Sequence, residues 1–195
     1  MFRDPPPSAA WRHLDAREGY EVVFLAPAVD APGWRVEGTT AAVEEGEPWT
    51  VSYAIDLDAR WRTRRAVVSG RARHRHAERV LEADGEGRWT VDGRPRPDLD
   101  GCLDVDLESS SFTNAFPVHN LGLAVDEGAE APAAYVRALD LGVERLEQRY
   151  VRLDDSAASG QRYDYTSPAF AFRCELAYDA SGLVLDYPGI ATRSA

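Results

Sequence analysis

The residues that could do chemistry are concentrated in one run, 99–114, where acidic and hydroxyl side chains alternate with apolar ones. Asp104, Asp106 and Glu108 share one parity, and aliphatic residues lie between them. Because successive side chains of a strand point to opposite faces, a strand here would line one face with carboxylates. Such a face is costly unless it meets solvent, arginines or a ligand, so this run is the first candidate for a site.

Three kinds of chemistry fit a row of carboxylates. A calcium loop curls its ligands around the ion and needs glycine at its sixth position and glutamate at its twelfth, a pattern that this run lacks. An ion-pair ladder would join the carboxylates to arginines such as Arg149, Arg152 or those of 62–65, at roughly 0.2–1 kcal/mol for each opposed pair. A face that binds a polar ligand is the third. The ladder and the ligand face stay open, and no metal or cofactor is predicted.

The same run offers nucleophiles. Ser109, Ser110 and Ser111 precede a Phe112-Thr113-Asn114 turn, and His119 follows. No G-x-S-x-G elbow is present, so a serine hydrolase is disfavoured and no catalytic residue is assigned. An enzyme that acts on a small polar or sugar substrate through residues 100–114 remains the alternative to a binding protein.

Aromatic residues are the other candidate material. Trp34, Trp49, Trp61 and Trp89 lie at the ends of predicted strands. Large aromatic side chains usually form the core of a curved sheet, but the same rings, with arginine, asparagine and aspartate, also recognise sugars and lipid headgroups. Both interpretations stay open from the residues alone.

Composition narrows the class of protein. The 195 residues suit one domain, with 44% hydrophobic residues and a net charge of −11, and the basic residues are all arginine. This charge disfavours nucleic acid as a partner. No apolar run is long enough to span a bilayer, and no signal peptide is recognisable. We therefore expect a cytoplasmic protein without stable membrane insertion. In that compartment Cys102 and Cys174 are expected to be reduced.

The elements that must position these residues are predicted to be short strands. Runs of alternating residues, punctuated by glycine, proline and aspartate, predict an all-β chain with antiparallel pairing. Both 118–125 and 143–152 are predicted as strands. The segments 49–61 and 170–183 resemble each other, since each has a strand, a turn with aspartate and a second strand. So many strands must curl, stack or close. We expect a disordered lead over residues 1–10 and a single domain over 11–195.

Several segments, taken in order, carry a family resemblance. They are Trp61-Arg62-Thr63-Arg64, Gly87 to Gly93, Leu99 to Cys102 with the acidic run, Gln148-Arg149-Tyr150, and Gly182-Leu183-Val184 with Asp186 to Gly189. With them the chain resembles the putative glycolipid-binding family. It departs from the family pattern at two positions. Ser111 stands where the pattern has a proline after a serine, and His119 stands where the pattern has an arginine.

The resemblance implies a strongly curved antiparallel sheet rolled into a barrel-like β-roll around an elongated apolar cavity. It favours non-catalytic binding of an amphipathic lipid such as a glycolipid, whose chains would occupy that cavity. The predicted ligand-binding residues are Trp61, Trp89, Asp104, Asp106, Phe112, Thr113, Asn114, Gln148, Arg149, Tyr150 and Tyr187.

Overall fold

Strands dominate the computed structural model, which describes residues 2–15, 17–73, 75–156 and 160–195. The strands are β1 Ser8–His13, β2 Glu18–Pro27, β3 Gly33–Glu44, β4 Glu47–Asp58, β5 Thr63–Ala72, β6 Arg75–Ala83, β7 Trp89–Val91, β8 Arg94–Pro95, β9 Asp104–Leu107, β10 Gly128–Glu130, β11 Ala133–Val136, β12 Val143–Leu146, β13 Arg149–Ser156, β14 Gly160–Ser167, β15 Phe172–Tyr178, β16 Val184–Tyr187 and β17 Ala191–Arg193. One α-helix, α1 Ala115–Leu121, and three 3₁₀ turns, Pro97–Leu99, Phe112–Asn114 and Pro168–Phe170, complete the described elements.

Fourteen strands form one antiparallel sheet in the order β10-β13-β14-β15-β16-β17-β1-β2-β3-β4-β5-β6-β7-β8. Strict alternation of buried and exposed residues shows why these segments are strands: in β4, Trp49, Val51, Tyr53, Ile55 and Leu57 are buried and face the core. The prediction of an all-β chain with a large antiparallel sheet is confirmed. Among the described strands, β10 and β8 remain as edges.

A second, smaller sheet of β12, β11 and β9 carries the acidic run. Here the prediction of purely antiparallel pairing is wrong, because β9 pairs with β11 in parallel. Parallel strands are usually covered on both faces. Accordingly Val105 and Asp104, which point to opposite faces of β9, are both buried.

The large sheet curves around its own core. Fourteen strands about 4.8 Å apart would span roughly 65 Å if flat, yet inner-face residues of β1 to β7 belong to one hydrophobic cluster. Residues from the small sheet, the 3₁₀ turn Phe112–Asn114 and α1 also belong to that cluster, among them Val105, Leu107, Phe112 and Phe116. A second cluster joins β13 to β16 with α1. The expectation of an elongated apolar cavity is therefore not met in this region, where packed side chains fill the space inside the curve.

The segment 118–125, predicted as a strand, is helical in its first half. Helix α1 continues from the 3₁₀ turn Phe112–Asn114 and ends at Gly122, whose φ of 59° is the left-handed cap of a helix C-terminus. Pro117 lies in the first helical turn, where a missing N–H is tolerated. The segment 143–152 is mostly strand, as predicted, but it divides into β12 in the small sheet and the start of β13 in the large sheet.

The N-terminal segment differs from the prediction of a disordered lead over residues 1–10. Strand β1 begins at Ser8, and the Arg3 N–H donates to the Ala180 carbonyl at 2.9 Å. The Leu25 N–H donates to the Pro7 carbonyl at 2.9 Å. Prolines cannot donate to a sheet ladder, but their carbonyls can accept, which the prediction overlooked.

Cys102 and Cys174 are both free thiols. Burial raises the pKa of Cys102 to about 11 and that of Cys174 to about 12, so neither is a reactive thiolate. None of the helices in the described part of the chain combines the length and apolar character that crossing a membrane requires.

Candidate functional site

The Asp106 carboxylate lies at the centre of a hydrogen-bonded chain. Its Oδ1 accepts from the Thr113 hydroxyl at 2.8 Å, and its Oδ2 accepts from Gln148 Nε2 at 2.6 Å. The same Nε2 donates to the Tyr165 hydroxyl oxygen at 3.0 Å. Burial raises the pKa of Asp106 although the two donors oppose this shift. Among the described ion pairs none involves Asp104, Asp106 or Glu108, so of the two interpretations left open for the acidic run, the ladder with arginines is not formed.

Asp106 opens onto a cavity of about 190 Å³ that we call the aromatic cleft. Its rings come from five residues, Tyr135, Tyr165, Phe170, Phe172 and Tyr187. Its polar groups come from six, Arg17, Asp106, Glu108, Ser110, Asn114 and Ser167. Three apolar residues, Leu107, Leu146 and Ile190, complete the wall.

The aromatic rings hold one another in place. Tyr187 packs edge-on against Tyr165 with ring centroids 5.9 Å apart, and against Phe172 at 6.0 Å. Tyr135 approaches Phe170 at 5.7 Å. Aromatic pairs prefer such edge-to-face or tilted arrangements. The cleft therefore presents preformed aromatic surface beside a carboxylate.

Two tyrosines fix Asn114 at the edge of the cleft. The Tyr150 hydroxyl donates to Asn114 Oδ1 at 2.9 Å, and the Tyr178 hydroxyl donates to the Asn114 carbonyl at 3.1 Å. Tyr150 and Tyr178 are fully buried, so their hydroxyls are committed to Asn114. The Asn114 amide nitrogen makes none of the described side-chain hydrogen bonds, so it can donate to a ligand in the cleft.

Arg17 places a cation at the cleft. Its side chain lies over the Trp49 ring, 5.3 Å from the centroid, and Nη1 donates to the Glu108 carbonyl at 3.0 Å. Across the cleft, the buried hydroxyl of Ser167 has no hydrogen-bond partner. An unsatisfied buried hydroxyl is costly, and a ligand oxygen in the cleft could satisfy it.

Glu21 is the support behind the cleft. This fully buried carboxylate accepts from the Tyr53 hydroxyl at 2.6 Å, from the Ser110 hydroxyl, and from the Ser111 N–H at 2.7 Å. The Phe112 N–H adds a fourth bond at 3.3 Å. Burial raises the pKa of Glu21 despite these four donors. The carboxylate ties the end of the acidic run to the large sheet and so orients Ser110.

The structure brings some predicted residues together around the cleft. Asp106, Asn114 and Tyr187 line it, Thr113 and Gln148 bind Asp106, and Tyr150 binds Asn114. Phe112 lies behind them, fully buried, with its ring 6.1 Å from that of Trp11.

Four predicted residues lie elsewhere. The Trp89 indole donates to the Cys102 carbonyl at 2.8 Å inside the core. Arg149 is exposed and pairs with Glu130 at 2.7 Å. Asp104 accepts from Asn120 Nδ2 at 2.7 Å, and burial raises its pKa to about 7. Trp61 stacks on His119 at a separate pocket.

Sequence reasoning missed Arg17, Glu21, Tyr135, Tyr165 and Phe172. A signal existed for Glu21, which shares the parity of the buried residues of β2. The signal was ambiguous because the residues on the other face of β2 are equally apolar, so the sequence does not show which face is buried. No local signal marks the others, since strands distant in sequence bring them together.

A larger depression of about 440 Å³ lies on the outer face of the large sheet. Small and apolar side chains dominate its lining, including Val22, Phe24, Thr39 and Val67, with Glu37 as its one carboxylate. None of these described residues carries a buried polar atom that lacks a partner. Among the described residues, no group of three or more histidine, cysteine or acidic side chains is placed to hold a metal ion.

Together, the fold and the cleft define an all-β protein whose curved antiparallel sheet packs around a small inner sheet and carries a compact aromatic and polar cleft. The sequence profile of the putative glycolipid-binding family matches residues 8–193, and the chain belongs to this family. Family membership was predicted and is confirmed.

Two solved structures share the fold. The crystal structure of a DUF1089 family protein from Pseudomonas aeruginosa is 34% identical, with a TM-score of 0.71 over 100% of this chain and 96% of that one. A beta-barrel-like protein of the domain of unknown function DUF1849 from Brucella abortus is 12% identical, with a TM-score of 0.61 over 99% and 96% of the two chains. The second likeness concerns the fold alone. No curated protein matches the chain.

Proposed function

We propose that the aromatic cleft binds the sugar headgroup of an amphipathic glycolipid without covalent chemistry. The observation that carries this proposal is the Asp106 carboxylate, held by Thr113 and Gln148 beside the rings of Tyr165 and Tyr187. The description of the family as putative glycolipid-binding supports it.

The chemistry of the lining matches a sugar. A sugar offers hydroxyls, which both donate and accept, and flat C–H faces that pack on aromatic rings. Asp106 and Glu108 can accept from hydroxyls, whereas Arg17 and the Asn114 amide can donate to them. A plain acyl chain would leave these polar groups unsatisfied, which is unfavourable in a buried site.

The size of the cleft limits what enters it. Its 190 Å³ is below the roughly 300–1,000 Å³ of pockets for drug-sized ligands, so it suits one headgroup rather than acyl chains. Phe170 lines the cleft and is 56% exposed, so it marks the opening of the cleft to solvent. An acyl chain attached to the headgroup would leave the cleft beside this ring. This proposal places the chains outside the core, in contrast to the interior cavity expected from the sequence.

Calorimetric titration tests the proposal with octyl glucoside below its micelle concentration, free glucose and octanoate. The glucoside is expected to bind, glucose to bind more weakly, and octanoate not to use the cleft. Asp106→Asn is expected to weaken the glucoside about tenfold, as the loss of one charge-assisted hydrogen bond would. Arg149→Gln, which changes an exposed ion pair outside the cleft, is the control. Equal binding of the glucoside to Asp106→Asn and to the unaltered protein would refute the proposal.

A second candidate is the enzyme suggested by the same segment. The specific observation is that two carboxyls, Asp106 and Glu108, line one cleft and that burial raises the pKa of Asp106, as suits a general acid. Turnover of nitrophenyl glycosides that Asp106→Asn abolishes would establish it. Binding of the same glycosides without turnover would favour the binding protein.

A further inference from the structure

A second pocket, of about 550 Å³, lies at the far end of helix α1 from the cleft. We call it the arginine pocket, and the six residues that define it are Arg3, Arg60, Trp61, His119, Arg152 and Tyr163. The described residues that line it include three arginines and no carboxylate. In a chain with a net charge of −11, three guanidinium groups around one opening are a local reversal of charge.

Trp61 occupies a turn position that favours glycine. Three aspartate turns share one pattern, in which an aspartate Oδ1 accepts from the backbone N–H groups two and four residues later. They begin at Asp58, Asp84 and Asp179. The third residue after the aspartate is left-handed in all three: Gly87 at φ 96°, Gly182 at φ 75°, and Trp61 at φ 64°.

A tryptophan in this conformation costs roughly 1–2 kcal/mol relative to the right-handed region, a cost that glycine avoids. Since the two other turns use glycine, the turn itself does not require tryptophan. The ring must supply a compensating contact, and strained backbone of this kind often marks a functional site.

That contact is a parallel stack of Trp61 on His119. The ring centroids are 3.6 Å apart and the planes differ by 4°. His119 Nε2 lies 3.0 Å from the Ser181 carbonyl oxygen, which fixes the imidazole. Glycine at 182 leaves room for it, since a Cβ there would lie 2.5 Å from Nε2. Burial lowers the pKa of His119 to about 4, so the stacked ring is neutral near pH 7. The stack forms a rigid wall of the pocket.

Arg152 supplies the buried cation of the pocket. Its side chain lies over the Tyr163 ring at 5.6 Å, and one Nη pairs with Asp155. The residue is 9% exposed, and its buried Nε has no hydrogen-bond partner. Arg3 and Arg60 are exposed and form no ion pair with a described carboxylate. Asp104 lies behind the pocket through its bond to Asn120.

We propose that the arginine pocket is a binding site for an oxyanion of the phosphate class, with Arg3, Arg60 and Arg152 as its donors and the Trp61–His119 stack as its wall. Guanidinium groups present paired N–H donors that match the oxygens of phosphate. Arg152 can donate from the unpaired Nε, while the two exposed arginines supply charge at the rim. The site is separate from the aromatic cleft and does not depend on it.

The experiment titrates the full chain with inorganic phosphate and with dodecyl phosphate by calorimetry at low salt. Arg60→Gln and Arg3→Gln are each expected to weaken binding of the phosphate-bearing probe about tenfold and to leave the melting temperature unchanged, because both side chains are exposed. Arg94→Gln, an exposed arginine on β8, is the matched control for net charge. Asp106→Asn should leave phosphate binding intact, which separates this site from the cleft.

Two outcomes support the site and distinguish its ligand. Equal affinity for inorganic and dodecyl phosphate indicates a free oxyanion, and binding of dodecyl phosphate alone indicates a lipid headgroup. The proposal is overturned if neither phosphate binds, or if Arg60→Gln and Arg3→Gln weaken binding no more than Arg94→Gln does.

Discussion

Gln148, in the connection between β12 and β13, donates from Nε2 to Asp106 Oδ2 of β9 at 2.6 Å, although the two residues are 42 positions apart in the sequence. The bond explains how a carboxylate can remain in a largely buried position without an arginine. Thr113 holds the other oxygen, so both are oriented by neutral donors. Among the described ion pairs none joins a guanidinium to Asp106, so its oxygens keep lone pairs that can accept a hydrogen bond from a ligand.

Removal of the Gln148 amide should destabilise the fold. Gln148→Leu leaves Asp106 Oδ2 without its donor, and an unsatisfied buried acceptor costs about 1–3 kcal/mol. Urea unfolding should report a loss of that size. Arg149→Gln, one residue along and exposed, is the control and should leave stability unchanged. Equal effects of the two substitutions would mean that the Asp106 bond carries no stability.

Glu21 should be essential to the position of residues 110–112. Glu21→Leu removes the acceptor of two buried backbone N–H groups and two hydroxyls, so a loss of more than about 3 kcal/mol is expected. Glu18→Leu on the same strand is exposed and serves as the control. A stable Glu21→Leu protein with an unaltered near-ultraviolet spectrum would show that Glu21 does not organise this turn.

Asp104 should make stability depend on pH in the opposite sense to a salt-bridged aspartate. Its pKa rises from 3.8 to about 7 on folding, so between these values the folded state holds a proton that the unfolded state has lost. Its contribution to stability is complete below about pH 4 and is lost as pH rises to about 7, at up to about 1.4 kcal/mol per pH unit.

Asp104→Asn cannot titrate, and its amide oxygen can still accept from Asn120. The variant should therefore gain stability relative to the unaltered protein as pH rises from 4 to 7.5, measured by urea unfolding at each pH. A difference that stays constant across this range would show that Asp104 is ionised throughout in the folded protein.

At position 61 the usual order of stability of alanine and glycine variants should be reversed. Trp61→Ala and Trp61→Gly both lose the stack on His119, but only alanine retains the strain of φ 64°. Glycine should therefore be the more stable variant by about 1 kcal/mol in urea unfolding, although alanine is usually favoured. At Arg60, which is not left-handed, the same pair of substitutions should give the ordinary order. Greater stability of Trp61→Ala would mean that the turn relaxes without cost.

Alternation along each strand was enough to predict the all-β class and most strand positions, because one face of the sheet is buried. It failed at 118–125, where the helix depends on the preceding 3₁₀ turn and on Gly122 rather than on periodicity. The arginine ladder, one of the two interpretations left open for the acidic run, does not form for a related reason. Asp104 and Asp106 lie in an inner strand covered on both faces, where neutral donors from α1, the Thr113 turn and Gln148 reach them instead of arginines.

The site was only half predictable for a physical reason. Asp106, Asn114 and Gln148 stood out because polar residues on a strand or turn need partners. Tyr165 and Phe172 looked like ordinary core residues, since nothing in a local pattern separates a ring that packs from a ring that lines a cleft. The pairing of β14 with β15 brings these two rings together, and Gln148 links Tyr165 to Asp106 of the acidic run.

Saturation-transfer difference NMR with octyl glucoside shows directly whether the aromatic cleft holds the sugar, because it reports which protons of the ligand touch the protein. If the aromatic cleft binds the headgroup, the sugar ring protons should receive the strongest saturation, and Tyr187→Ala and Asp106→Asn should each reduce it clearly, whereas Trp89→Phe should not. Saturation confined to the octyl chain and unchanged in Tyr187→Ala and Asp106→Asn would contradict the account.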